Sequence, residues 1–547
     1  MKLVKSIMWL VVAAMVAVAC GGGAVADNDT TKPDDKNEKP TPAVKDAYKL
    51  PPTSSDTQFK IAGNVMVTPD VKEKGLVRNP AMGWVLYDDA NDPVANASEY
   101  WMEMDRYAQY ASILYVRWRW SDLEPAEGEY VWKDKSSNFS RLIKGALDRG
   151  LKLAFRIYYD SNGNCKQSTP EYVLEAGAEG YRTEVNGTGN RWSPYADDKV
   201  FQEKLATFIK AFAEEFDAPA RVDFIDAFNL GWWGEGHNIN LKAGNDNEQA
   251  KTEVVKWITT LYGEAFKHVP LVINYHNAIG EQNLDWVIEN QGYELRHDAF
   301  GSKYYADFER GYANKYKTQR MIVAESCYWF VNTDYGGAQS GEYDFTEQWR
   351  SDESYNPRAN SWRDVYKRIY NEALEARANM LDMRERREAE SWIRQASDVV
   401  EDFITNGGYR LSPVAVSFPS VVKIGKSYTI GHAWQNSGYG VCPNFDQRWG
   451  GKYKVAVAMI DGKGRVVHSS VDENAEPSTW LREQDMNKYH CDVTIKVPAA
   501  GRYYWAVGIV DTSLDGGTQG GESSLNLAVE NVDFVDKWVV VGGVDVE

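Results

Sequence analysis

The chain has 547 residues, a length that allows about two or three domains, and 43% of them are hydrophobic, enough to build substantial cores. Its formal charge is −18 and its pI about 5.0, which argues against a nucleic-acid partner because no net positive field is present to displace counterions from phosphates. Aromatic residues reach 13%, with 20 Trp and 32 Tyr, and many fall in predicted loops where rings can stack on sugars; filling a large core is the plainer account of most of them.

Residues 1–20 have the form of a secretory leader, with Lys2 and Lys5, an apolar run over 7–19 too short to span a bilayer, and then Cys20. The tetrad AVAC at 17–20 is similar to a bacterial lipobox, in which Cys20 would carry the lipid. An ordinary cleaved leader is the alternative, since Ala17 stands where such boxes more often have Leu. Residues 21–58 are rich in Gly, Asp, Lys, Thr and Pro and read as a disordered tether, which favours the anchor. The expected location is the cell envelope, on the surface or periplasmic face of the outer membrane. Cys165, Cys327, Cys442 and Cys491 form no CxxC pair, so no zinc site is expected; Cys442 and Cys491 are open to a disulfide or to buried free thiols.

From 59 to 405, short apolar runs alternate with longer amphipathic segments, the pattern of a parallel β/α sheet or barrel. Eight strands are predicted, over 82–89, 112–120, 151–160, 222–238, 270–277, 295–302, 320–330 and 378–384. The eighth, ANMLDMR, also fits a helix interior. On the second, alternation places Tyr115, Arg117 and Arg119 on one face and Val116, Trp118 and Trp120 on the other. Structural ion pairing is the plain explanation of the arginines, and carboxylate or sugar binding the functional one. The long stretch 161–199 reads as a loop on a substrate rim. The next segment puts Leu205, Phe208, Ile209, Phe212 and Phe216 on one core-facing helical stripe. Beyond Gly407 the period changes to two with Gly and Pro punctuation, so 406–547 reads as an all-β, immunoglobulin-like sandwich.

The stretch VDFIDAFNLGWWGEGHN, over 222–238, runs from a buried strand into an aromatic loop carrying Glu235, and MIVAE ends strand seven on Glu325. In a barrel, strands four and seven face each other across the mouth, so the two carboxylates can flank one bond. Glycoside hydrolysis needs such a pair, a protonated carboxyl for the leaving oxygen and an ionised one for the anomeric carbon, with retention favoured at roughly 5 to 5.5 Å. A lone glutamate at a strand end is more often a rim residue or an ion-pair partner. Joint placement beside Trp232, Trp233, Tyr328 and Trp329 raises these two above that background. His237, His276 and His297 lack HExxH spacing, so neither a metal nor another cofactor is expected.

The run LYVRWRWSDLEPAEGEYVW resembles the second-strand signature of clan A glycoside hydrolases, notably the β-galactosidase-like families. With NPAMGW, GWWGEGH, MIVAE and GGYR in this order, residues 59–547 also resemble bacterial lipoproteins of unknown function built as glycosidase-like (β/α)8 TIM barrels with a sandwich behind. The resemblance implies Glu235 as acid/base, Glu325 as nucleophile and Arg117 as the arginine keeping Glu325 ionised, with carbohydrate as substrate. Trp120, Trp233, Tyr275, His276, Asp298 and Trp329 are expected to bind substrate. There is one departure: the clan carries an Asn-Glu pair after strand four, whereas Asn229 is followed here by Leu230. Either the strand runs on to Glu235, or the loop bends Glu235 back, or the acid is lost. The clan's Trp near the end of strand eight is also missing. A glycan-binding protein without catalysis, or a structural lipoprotein, competes with the hydrolase.

Overall fold

The computed structural model describes residues 48–54, 59–88, 93–161, 166–184, 190–302, 304–327, 361–514 and 523–547. The leader with Cys20, most of the tether, Cys165 and Trp329 lie outside these residues. No helix among the described residues is long and apolar enough to cross a membrane.

Eight strands pair in parallel, each with the next: Gly83–Tyr87, Ala111–Arg119, Lys152–Tyr158, Val222–Asp226, Leu271–Asn274, Glu294–Phe300, Ile322–Ser326 and Met380–Arg384. The eighth then pairs with the first and closes the barrel. A helix follows every strand, in order Ala97–Ala108, Asn138–Asp148, Lys199–Phe216, Glu248–Ala265, Glu281–Gln291, Asp307–Tyr316, Trp362–Glu375 and Arg386–Asn406. Six of them start on a side chain that takes up orphan helix N–H groups: Asn96, Ser137, Asp198, Asn247, Ser361 and Glu385. The third helix buries Leu205, Phe208, Ile209, Phe212 and Phe216, the stripe expected from the sequence.

The ambiguous eighth segment is a strand. Leu381 and Met383 enter the cluster between barrel and helices, while Met380 joins the interior, the alternation of a strand with two covered faces. Most inward residues of the strands fall into two layers of different chemistry. Val85, Ile113, Ala154, Phe224, Val272, Val323 and Met380 form an apolar base. Above it lie buried Arg117, Arg156, Asp226, Asn274, Arg296, Glu325, Asp382 and Arg384. This charged layer sits at the carboxyl ends of the strands, where barrels carry their sites.

Below the base, the same apolar cluster runs on into the sandwich through Tyr409, Leu411, Trp434 and Trp449. One sandwich sheet has the order Val65–Val67, Leu411–Phe418, Ser427–Asn436, Asn487–Thr494. The other runs Val421–Val422, Trp538–Val546, Gly501–Asp511, Tyr453–Asp461, Val466–Asp472, with Phe534–Val535 beside Trp538–Val546. The segment before the barrel therefore belongs to the sandwich, and the barrel begins at Gly83 rather than at 59. Three residues of strand are too few for a sequence pattern to name their partner. Within 161–199 the expected loop contains a hairpin, Gly180–Glu184 paired with Asn190–Pro194. Cys442 and Cys491 are buried free thiols.

Candidate active site

Glu325 closes strand seven and is 3% exposed, and Glu235 is 7% exposed on the loop after strand four. That strand ends at Asp226, so it does not run on to Glu235. The loop doubles back instead. Asn229, Gly231, Trp233, Gly234, Gly236 and Asn238 all have positive φ, three of them without glycine's freedom. The turn is closed by Trp232 N–H donating to His237 O at 2.9 Å and Gly236 N–H to Leu230 O at 3.0 Å. Gly231 is obligatory here, since a Cβ would sit 2.1 Å from His237 O. Asn229 Nδ2 ties the start of the loop to Ile157 O at 2.6 Å, and Asn274 Nδ2 donates to Glu235 O at 2.9 Å. Glu235 is thus carried back over the mouth, the second of the three outcomes left open by the missing Asn-Glu pair.

Four arginines gather the two carboxylates. Arg156 Nη1 donates to Glu235 Oε1 at 2.6 Å, and Arg296 Nη2 donates to the same oxygen at 3.0 Å. Arg296 Nη2 also donates to Glu325 Oε2. Arg156 Nη2 stands 3.6 Å from Glu325 Oε2, and Arg117 Nη1 and Arg384 Nη2 each lie 3.3 Å from Glu325 Oε1. With one guanidinium nitrogen bonded to both, the facing oxygens lie within ~6 Å, two hydrogen-bond lengths. Asp226 completes the layer, accepting from Tyr115 Oη at 2.8 Å beneath Arg156 and Arg296. Asp382 accepts from Ser326 N at 2.7 Å and from Arg384.

The environment splits the two glutamates. Burial, and after it the charge of Asp298, pushes Glu235 up to about 7 against the pull of Arg156 and Arg296. Burial also acts to raise Glu325, but Arg296, Arg156, Arg117 and Arg384 outweigh it and hold that carboxyl well below the usual range. At the mouth, His237 Nε2 is 3.7 Å from Glu235 Oε2 and 3.7 Å from Asp298 Oδ2. Burial lowers this imidazole, yet the facing Asp298 carboxylate leaves it raised overall. Glu235, His237 and Asp298 each offer one ligand atom within 4.8 Å of the others, so they are the described residues able to hold a cation.

The other expected substrate contacts divide. Arg117 is in the charged layer, with its guanidinium 4.5 Å over the Tyr87 ring. Asp298 and His276 reach the mouth, where the His276 and His237 rings are 4.2 Å apart. Trp233 is half-buried on the loop, edge-on to Trp232 at 5.8 Å. Two expectations are corrected. Trp120 is fully buried between barrel and helices, its Nε1 donating to Glu124 Oε2 at 2.7 Å. Glu124 also accepts from Gly128 N at 2.8 Å, so the Glu-Pro-x-x-Gly motif closes a turn rather than meeting a ligand. Tyr275 is likewise fully buried, stacked on His297 at 4.7 Å. Sequence reasoning missed Arg156, Arg296, Arg384 and His237. Arg156 had a visible signal, a charge inside the otherwise apolar run LAFRIY.

No family model matches the chain, and no curated protein matches it. Solved structures do match. They include xylanase B from Clostridium stercorarium F9, 13% identical over 55% of this chain and 85% of that one, with a TM-score of 0.35. The catalytic domain of β-amylase from Paenibacillus polymyxa is 7% identical over 59% of this chain and 99% of its own, at 0.37. Native xylanase 10B from Thermotoga maritima is 11% identical over 56% and 83%, at 0.33. The closed parallel strand order, not these scores, establishes the barrel.

Proposed function

We propose that this chain is an exported glycoside hydrolase that cleaves a β-linked glycan with retention, tethered to the outer membrane through lipid on Cys20. The observation carrying this reading is the pair Glu235 and Glu325, bonded to one Arg296 nitrogen and driven to opposite proton affinities. Two carboxyls pushed apart in this way supply an acid and a base at one pH. Their facing oxygens, within ~6 Å, are close enough for the two carboxyls to flank one glycosidic bond.

In this reading Glu235 gives its proton from Oε2 to the glycosidic oxygen, and the anomeric carbon–oxygen bond breaks as a bond from Glu325 forms. Water then attacks the glycosyl-enzyme, loses a proton to Glu235 and frees Glu325. The sugar has to displace the Arg296 guanidinium from one of its two carboxylates, since that group lies between them.

The same arginines favour a second reading. Both Glu325 oxygens face guanidinium groups, four in all, and a carboxylate so engaged is a weak nucleophile. A glycan-binding protein on a glycosidase-like barrel would keep this layer for rigidity. Hydrolysis of a panel of aryl β-glycosides by wild type, Glu235→Gln and Glu325→Gln separates the two. The hydrolase reading expects wild type to cleave at least one substrate and Glu235→Gln to lose about 10²- to 10⁴-fold in kcat/KM. An inert wild type that binds a glycan as tightly as both variants overturns it in favour of binding alone.

A further inference from the structure

Each mouth carboxylate has one oxygen engaged from within and one turned outward. Glu235 Oε1 takes Arg156 and Arg296, and Asp298 Oδ1 takes Asn274 Nδ2 at 3.3 Å. Asn274 itself is fixed, with Nδ2 also on Glu235 O and Oδ1 2.8 Å from His297 Nδ1. The remaining oxygens, Glu235 Oε2 and Asp298 Oδ2, lie at the same 3.7 Å from one atom, His237 Nε2. The loop that returns Glu235 therefore also delivers, two residues on, an imidazole between the two acids.

We infer that His237, set between Asp298 and Glu235, is a positioning residue for Glu235: its Nε2–H is directed to Asp298 while Glu235 holds a proton, and turns to Glu235 Oε2 once that proton has gone. No bond other than hydrogen bonds changes at His237. The proton leaves Glu235 for the glycosidic oxygen and returns to it from water, so this inference rests on the hydrolase reading.

The groups facing the pair are Arg156 from strand three, Arg296, His297 and Asp298 from strand six, Glu325 from strand seven and His276 after strand five. His276 Nδ1 accepts from Ala278 N at 3.0 Å, and burial lowers this imidazole to about 4. Burial and His276 together lower His297 further, to about 3.

The test is the pH profile of kcat/KM on a cleaved aryl glycoside, where the alkaline limb follows loss of the Glu235 proton. His237→Ala removes the donor that stabilises ionised Glu235, so the limb moves up by about one pH unit while kcat falls. Asp298→Asn removes the negative charge that keeps Glu235 protonated, and the limb moves down by a similar amount. Opposite shifts are expected; a limb unmoved in both variants overturns the inference. An NMR titration of the His237 ring gives a readout free of activity. Glu235→Gln and Asp298→Asn should each lower its pKa, and an unchanged curve refutes the coupling. Wild type inert on every glycoside defeats the hydrolase reading alone, and the titration still decides this one. Zn²⁺ binding at micromolar concentration that disappears in His237→Ala identifies a metal site and overturns the proposal.

Discussion

Arg296 offers the sharpest test of the charged layer. Its side chain is fully buried, Nη2 bonds both Glu235 and Glu325, and Nε stands 3.5 Å from Asp226. Arg296→Met keeps most of the volume and removes the cation, leaving buried carboxylates short of a partner. Breaking a buried ion pair from one side costs about 3–5 kcal/mol. At ~2 °C per kcal/mol for a large domain, the loss at pH 7 is a Tm lowered by about 6–10 °C, read by circular dichroism. The sign of the pH dependence follows from Glu325, whose folded pKa is depressed. Its contribution is complete above the unfolded glutamate value of about 4.3 and fades as pH falls through the folded value. The gap between wild type and variant is therefore widest near neutrality and narrows toward pH 4, where the variant's glutamates take up protons. Adding Glu235→Gln to Arg296→Met should recover part of the loss, because one unmatched carboxylate is gone. An Arg296→Met Tm within 2 °C of wild type, with no narrowing toward acid, would refute the view that this guanidinium holds the layer together.

The return loop gives a second test. Gly231→Ala places a Cβ 2.1 Å from His237 O at a φ of +74°, so it should cost at least ~1–2 kcal/mol and change the near-UV dichroism of Trp232 and Trp233; an unaltered spectrum and Tm would mean the turn is not rigid. At the junction of barrel and sandwich, burial, and after it Asp446, raises Glu294 to about 8. Its contribution is present below an unfolded pKa of about 4.3 and lost as pH rises through 8, so Glu294→Gln should flatten the fall in Tm between pH 5 and 9; parallel curves would contradict this.

Much of the barrel was legible before any coordinates, because each strand of a parallel barrel is covered on both faces and so reads as a short apolar run bounded by turns. All eight runs are strands, including the ambiguous ANMLDMR. Glu325 at the end of strand seven and Arg117 on the inward face of strand two were visible for the same reason: a charge inside such a run has to face the barrel interior. The missing Asn-Glu pair was legible too, as a fault in the pattern, but its resolution was not. A return turn depends on positive φ at Asn229, Trp233 and Asn238, residues that do not announce it as glycine does.

What the sequence determined by itself is the eight strands of the barrel and the strand-end place of Glu325. Tertiary structure decided which faces meet. Closure brought Arg156 from strand three and Arg296 from strand six onto Glu235, though 79 and 61 residues separate them in the chain. It sent Trp120 and Tyr275 into packed interiors and gave Val65–Val67 to the sandwich. The physical reason is one of range. Periodicity is set within a few residues, whereas the partners of a buried charge are set by the strands that close around it.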